Sequence, residues 1–155
     1  VDALIGNWDR HNGNWGFLYN TATDEIAIAP VYDCGSCLYP QADEAIMRDT
    51  IDKQPERDLR TFSIPLSSIK VNGKKINYFD FISSLENADC NKALKRILPK
   101  INMDAIFRIV DETPFISDLQ KQFYKTMLRT RKERILDFAM EKLRKREKAK
   151  ELEAR

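Results

Sequence analysis

Helix-capping residues and prolines divide the second half of the chain into helices, and this division constrains its fold most. Each predicted helix begins at a side chain that can accept a hydrogen bond from the first-turn backbone. The helices run from Asn77 to Leu85, from Asp89 to about Leu98, from Asn102 to Asp111, and from Ser117 onward. Pro99 and Pro114 follow the second and third helices and end them.

The last helix is predicted to be long, because apolar side chains continue at roughly helical spacing after a capping box of Ser117 and Gln120. These side chains are Leu119, Phe123, Met127, Ile135, Phe138, Ala139 and Leu143. Residues 142–155 are almost purely charged, with seven basic and three acidic residues. Because acidic residues interrupt the basic ones, the pattern favours a solvated helix end, and direct nucleic-acid binding is not expected.

Two hairpins are predicted before residue 77. The apolar runs 15–19 and 25–29 flank a turn-rich gap, and Pro30 ends the second strand. Asn72 and Gly73 predict a type I′ turn in the second hairpin, since both positions of that turn need a positive φ.

The stretch between the hairpins predicts one helix over residues 41–53 and then a polar loop holding Pro55, Ser63 and Pro65. Taken with the helices after residue 77, the predicted fold class is α+β, mainly α. It consists of a short hairpin-rich part followed by a helical bundle.

Composition places the chain among globular domains and excludes few functions. The length of 155 residues suits one domain, and the net charge of +2 is too small to indicate a nucleic-acid or membrane partner. No apolar run approaches the roughly 20 residues of a membrane span. Three cysteines and the lack of a secretory pattern favour a reducing compartment, so a cytoplasmic location is expected.

Polar residues with a definite spacing surround the first hairpin. Asp9 and Asn14 lie five positions apart just before it, and Asp33 with Gly35 follows its second strand. Phosphoryl transfer needs such groups, because a carboxylate must orient the acceptor hydroxyl while amide and carboxylate oxygens hold Mg²⁺ against the phosphates. The alternative is that Asp9 and Asn14 only cap a turn and Asp33 only ends a strand.

The residues of this segment resemble two related groups of kinases. The run Asp9-Arg10-His11-Asn12-Gly13-Asn14 matches the D-R-H-x-x-N catalytic loop of the phosphatidylinositol kinases. The longer stretch 5–14, followed by residues 29–33, resembles the HipA-like bacterial serine/threonine kinases, which are similar in fold to the phosphatidylinositol kinases. The resemblance covers residues 4–40 and implies the C-lobe of an ATP- and Mg²⁺-dependent kinase.

The resemblance also implies a role for each site residue. Asp9 would be the catalytic base, and Asn14 and Asp33 would bind Mg²⁺ and, through it, the nucleotide. His11 would lie close to the phosphates or brace Asp9. Cys34 stands where many kinases have the Phe of Asp-Phe-Gly, which puts in doubt an aromatic-driven switch there.

No Gly-rich phosphate loop and no strand Lys ahead of Asp9 occur in the sequence, although a kinase needs both. We therefore expect a fragment that lacks the nucleotide-gripping lobe and is inactive alone. It would comprise a catalytic and metal-binding segment (1–40), a loop and hairpin (41–76) and a helical part (77–155).

Several substrates and partners remain open. A protein Ser or Thr is the expected phosphoacceptor, and a DNA-binding antitoxin-type partner is implied by the resemblance alone. The alternatives are a phosphatidylinositol or other small-molecule kinase, because the catalytic loop is shared, and a non-catalytic pseudokinase module.

The cysteines allow two further interpretations. Cys34 and Cys37 form a C-x-x-C pattern that can be redox-active, and with Cys90 and His11 they could complete a Cys₃His zinc site. A thioredoxin-like setting is missing and the zinc spacing is weak. Small, partly buried cysteines are therefore the preferred interpretation.

Overall fold

The structure is a computed structural model, and it describes residues 1–153. Its α-helices are α1 (Asp2–Ile5), α2 (Glu44–Asp52), α3 (Gln54–Asp58), α4 (Tyr78–Ser84), α5 (Ala88–Ile97), α6 (Met103–Glu112), α7 (Asp118–Arg131) and α8 (Phe138–Glu153). Its strands are β1 (Phe17–Asn20), β2 (Glu25–Ile28), β3 (Lys70–Val71) and β4 (Lys74–Lys75). The mainly helical α+β class is confirmed.

Both predicted hairpins form. Strands β1 and β2 are antiparallel, with Phe17 opposite Ile28, and β3 pairs with β4. Asn72 and Gly73 have φ angles of 52° and 78°, as a type I′ turn requires. The two hairpins are separate two-stranded sheets, so neither depends on a larger sheet for its register.

The predicted caps are confirmed at three helices and wrong at one. Asn77, Asn102 and Ser117 each accept a backbone N–H of the first turn, and Ser117 with Gln120 completes the capping box. Helix α5 is capped by Asn87 and not by Asp89. Asp89 instead lies in the first turn, where a carboxylate stabilises the positive end of the helix dipole.

The prediction of a polar loop after residue 53 is wrong for residues 54–63, which are helical. Helix α3 begins there with Pro55 in its first turn, and the π-helical segment Leu59–Ser63 continues it. Proline is compatible with a helix start, because a first-turn N–H has no partner within the helix.

A long helical unit from α7 through the π-helical segment Lys132–Asp137 to α8 carries the core. Phe123, Met127, Ile135 and Ala139 have no exposed surface. Phe138, one of the apolar side chains at helical spacing in the sequence, is 46% exposed. The wider π turn shifts later side chains around the helix axis, which sequence spacing at 3.6 residues per turn does not anticipate.

Arg131 at the end of α7 is the most deeply buried charge, with 1% of its surface exposed. Its Nε donates to the Ala3 carbonyl at 2.7 Å. Its Nη1 donates to the carbonyls of Arg60 and Thr61, at 2.8 and 3.2 Å, and to the Tyr39 hydroxyl at 2.9 Å. One side chain thus attaches α1, the segment after the first hairpin and the π turn after α3 to the helical core.

The charged end of α8 partly docks on the end of α4. Lys142 donates to the Ser83 carbonyl at 2.8 Å and Arg146 to the Leu85 carbonyl at 2.9 Å. These cations satisfy carbonyls at a helix C-terminus, where the dipole favours positive charge. The last two residues of the predicted charged helix, Ala154 and Arg155, lie outside the described residues. Within residues 1–153 no helix is both long and apolar enough to cross a membrane.

Candidate functional site

The loop that carries Asp9 begins directly after α1 and is held by Asn7. Asn7 is fully buried, and its Nδ2 donates to Asp2 Oδ1 at 3.1 Å while its Oδ1 accepts the Asp9 N–H at 3.0 Å. The Tyr78 hydroxyl of α4 donates to the Asn7 carbonyl. The backbone of Asp9 is therefore fixed, while its side chain stays 38% exposed.

Asn14 closes the same loop. Its side chain is nearly buried, and its Nδ2 donates to the Asp9 carbonyl at 2.8 Å. No hydrogen bond within residues 1–153 uses its Oδ1. The interval of five positions between Asp9 and Asn14 thus has a structural reason, because the amide nitrogen closes the turn and leaves the amide oxygen as a possible ligand.

Arg10 joins the loop to the segment after the second strand. Its guanidinium forms an ion pair with Asp2 at 3.0 Å, and its Nη1 donates to the carbonyls of Asn14 and, at 3.1 Å, Tyr32. The hydrogen bond to Asp2 raises the pKa of Arg10 above its usual value, although burial opposes the shift.

Tyr32 completes the connection and places Asp33 next to the loop. The Tyr32 hydroxyl donates to the Gly13 carbonyl at 3.1 Å, so Tyr32 is bonded to the loop through both its side chain and its backbone. Asp33 follows with a left-handed φ of 52° and an exposed side chain. Its carboxylate accepts no hydrogen bond from the part of the chain that the structure describes.

His11 lies beside Asp9. Its Nδ1 accepts the Gly13 N–H at 3.0 Å, which places the proton of the neutral ring on Nε2. Nε2 is 4.0 Å from Asp9 Oδ2. A Cβ on Gly13 would come within 3.0 Å of the His11 ring, so this position suits glycine. The separation of 4.0 Å between Nε2 and Asp9 Oδ2 is too long for a hydrogen bond, so both roles that the resemblance implies for His11 stay predictions.

An open cavity of about 680 Å³ adjoins the loop. It is lined by Arg10, His11, Asn12, Gly13 and Trp15 from the loop and by Ser68, Ile69 and Lys70 from the second hairpin. The Ser68 hydroxyl donates to the Trp8 carbonyl at 2.7 Å, which fixes the second hairpin against the loop.

Comparison with known proteins identifies a kinase relative. The sequence is 50% identical to the serine/threonine-protein kinase CtkA of Helicobacter pylori over 140 residues. The matched region covers 90% of this chain and 43% of that kinase. The chain is a homologue of that kinase. No family model matches it.

The crystal structure of a Helicobacter pylori proinflammatory kinase CtkA has the same fold. It matches with a TM-score of 0.83 and 49% identity over 90% of this chain and 51% of that chain. The chain thus spans about half the length of the CtkA relatives it matches. The predictions of a kinase-like chain and a mainly helical α+β fold are confirmed, while the role of each site residue stays a prediction.

The residues implied for Mg²⁺ fit a magnesium site chemically. Asn14 Oδ1 and the Asp33 carboxylate are oxygen donors, the kind that Mg²⁺ prefers, and a protein site for this ion commonly takes its other ligands from water and phosphate. No group of three or more His, Cys, Asp or Glu side chains within residues 1–153 is arranged to hold a metal ion. The Cys₃His zinc interpretation therefore has no support in these residues.

The C-x-x-C pair forms a tight turn in which the Cys37 N–H donates to the Cys34 carbonyl at 3.0 Å. Cys34 is exposed and Cys37 is half-buried, and both are free thiols. Burial, and then the neighbouring Cys34, raise the pKa of the Cys37 thiol to about 12. Cys37 therefore stays protonated at neutral pH and is a poor nucleophile there.

Sequence reasoning missed the four residues that position the site: Asp2, Asn7, Arg10 and Tyr32. Arg10 lies inside the catalytic-loop motif and Tyr32 directly precedes Asp33. Their positions beside predicted site residues were a usable signal. Asn7 also lies inside the stretch 5–14 that carries the resemblance, but its position there did not indicate its role. Asp2 gave no signal, and the roles of both residues depend on how α1 meets the loop.

Proposed function

We propose that this chain is the C-lobe portion of a HipA-like, ATP- and Mg²⁺-dependent kinase that phosphorylates a Ser or Thr of a protein substrate. The proposal is carried by one set of hydrogen bonds, in which Asn14 bonds to the Asp9 carbonyl and Arg10 bonds to the carbonyls of Asn14 and Tyr32. These bonds occur in a chain 50% identical to a serine/threonine kinase. A cytoplasmic location belongs to the same proposal. The antitoxin-type partner has no support beyond the resemblance and is not included.

In this proposal each residue has a distinct task. Asp9 orients the acceptor hydroxyl and accepts its proton as the oxygen attacks the γ-phosphorus, and the bond from that phosphorus to the β–γ bridging oxygen breaks. Asn14 Oδ1 and Asp33 hold the metal, and His11 contacts the phosphates or braces Asp9, the two roles that the resemblance implies. Mg²⁺, when bound, neutralises the charge on the phosphates. The chain spans 43% of the kinase relative, so the activity is proposed for the intact protein.

The test compares phosphate transfer from γ-labelled ATP by the intact protein and its Asp9→Asn and Asp33→Asn variants. We expect each substitution to lower kcat at least about 100-fold, the size of a lost acid–base or charge-stabilising group. Asp24→Asn is the matched control, since Asp24 is also exposed, with a left-handed φ of 55°, in the turn of the first hairpin. It should retain activity.

Other outcomes would redirect the proposal. Full activity in Asp33→Asn, with unchanged thermal unfolding, would remove Asp33 from the metal site. Labelling of phosphoinositide vesicles and not of protein would favour the lipid kinase that shares this catalytic loop. No transfer above the Asp9→Asn background to any acceptor would favour a non-catalytic module.

A further inference from the structure

The second hairpin carries an unusual pair of like charges. Lys70 and Lys75 are directly opposite each other across β3 and β4, so their side chains share one face of the hairpin. Both are exposed, and neither forms an ion pair within residues 1–153. Like charges at such positions destabilise a hairpin. Because each strand here pairs over only two residues, few other contacts within the hairpin offset the repulsion between the lysines. We call this face the lysine face.

The lysine face has a fixed position relative to Asp9. At the base of the hairpin, the buried Ser67 donates its N–H to the Ile76 carbonyl at 3.0 Å. The next residue, Ser68, bonds to the carbonyl of Trp8, the residue immediately before Asp9, at 2.7 Å. The base of the hairpin is therefore bonded to the residue that precedes Asp9, and the hairpin is not a free loop.

The cavity beside the loop makes the lysine face accessible to a ligand. Lys70 lines the cavity together with Trp15, and none of its lining residues is acidic. The other permanent cation there, Arg10, is already paired with Asp2. Lys70 thus supplies an unpaired positive charge next to an apolar wall, an arrangement that attracts an anionic group attached to a larger molecule.

We propose that the lysine face binds acidic side chains that flank the phosphoacceptor Ser or Thr of the protein substrate. This inference rests on the proposed function and names its substrate class. The cavity is open and is lined by both the loop and the second hairpin, so an extended peptide segment can lie across it. Membrane recognition usually uses clusters of four to eight basic residues, whereas two lysines share this face.

The test measures kcat/KM of the intact protein on three Ser peptides that differ only in flanking Glu, Gln or Lys residues. We expect wild type to prefer the Glu peptide over the Gln peptide about tenfold, which corresponds to two partly exposed ion pairs. Lys70→Glu with Lys75→Glu should abolish this preference and favour the Lys peptide, with the KM for ATP unchanged. Raising the salt concentration should reduce the wild-type preference.

A matched control and a direct binding assay make the outcome specific. Lys148→Glu with Lys150→Glu reverses two exposed charges on α8, away from the loop, and should leave the peptide preference intact. Fluorescence anisotropy of a labelled Glu peptide should show about tenfold weaker binding to the Lys70→Glu, Lys75→Glu protein. The neutral pair Lys70→Gln with Lys75→Gln gives the same comparison if charge reversal impairs folding.

Each remaining result separates this inference from the proposed function. Equal kcat/KM for the Glu and Gln peptides in wild type would overturn the inference while the kinase activity stands. Lysine-dependent binding of the Glu peptide by a protein that transfers no phosphate would support the lysine face and overturn the proposed function. Lysine-dependent binding of phosphoinositide vesicles with no binding of the Glu peptide would overturn the inference in favour of a lipid headgroup.

Discussion

The Tyr32 hydroxyl donates a hydrogen bond to the Gly13 carbonyl across 19 residues of chain, at 3.1 Å. The same residue accepts from Arg10 through its backbone carbonyl. The loop of Asp9 and the segment of Asp33 are therefore joined at two points on either side of the first hairpin. The backbone segments that carry the carboxylate proposed to orient the acceptor and the carboxylate proposed to hold the metal are joined by one shared set of contacts.

Tyr32→Phe should lower the kcat of the intact protein about tenfold with little loss of stability. The substitution removes only the hydroxyl, whose exposed hydrogen bond contributes about 1 kcal/mol, but it releases the Gly13 end of the loop. Steady-state kinetics and thermal unfolding measure the two effects. Tyr19→Phe is the control, because the Tyr19 hydroxyl makes an exposed hydrogen bond to Asp24 within the first hairpin. Equal effects of both substitutions would contradict a positioning role for Tyr32.

The sequence was sufficient to nominate the residues that are proposed to face the reaction, but not those that support them. Asp9, Asn14 and Asp33 belong to residue types and intervals that phosphoryl transfer requires, so a pattern could identify them. Asn7 supports Asp9 through a bond to Asp2 that depends on where α1 ends. A contact of this kind has no local signature, since asparagine is common in any turn.

Arg131→Met should destabilise the protein by about 3–5 kcal/mol, the range for breaking a buried polar network. Methionine fits the volume but leaves the carbonyls of Ala3, Arg60 and Thr61 buried without this donor. Denaturant unfolding measures the change. Arg144→Met, at an exposed position of α8, should change stability by less than about 0.5 kcal/mol. A small effect at Arg131 would mean that water replaces the guanidinium.

The sequence predicted where helices start more reliably than how they continue. Asn77, Asn102 and Ser117 act within one turn of their own position, so local chemistry determines them. The π turn before Phe138 has no comparable local signal, and the buried role of Arg131 requires three segments that are distant in the chain. An arginine late in a helix is otherwise expected to be solvated.

Cys34 should react with iodoacetamide much faster than Cys37 in the folded, reduced protein. Burial holds the pKa of Cys37 at about 12, so at pH 8.5 only about one Cys37 thiol in 3,000 is ionised. Raising the pH should increase the labelling of Cys37. Mass spectrometry of peptides locates the label, and denatured protein should lose the difference. Comparable rates in the folded state would indicate that the turn opens.

Ser117→Ala should lower the free energy of unfolding by about 1 kcal/mol, the usual cost of losing a helix N-cap. Ser117 both accepts the Gln120 N–H at 3.2 Å and donates its own N–H to the Gln120 side chain at 2.8 Å. Denaturant unfolding measures the loss, and Ser117→Asp should restore most of it. No change in Ser117→Ala would imply that water caps α7 equally well.

The attachment made by Arg131 has a chemical character unlike that of an ordinary salt bridge. A guanidinium keeps its proton throughout the pH range in which proteins fold, and its acceptors here, three backbone carbonyls and a phenol, carry no charge at neutral pH. Acidification removes the partner of an arginine paired with a carboxylate, but it leaves these acceptors unchanged. Because the group is buried, dissolved ions screen it weakly. The junction between the helical core and the start of the candidate site should therefore persist in acid and in concentrated salt.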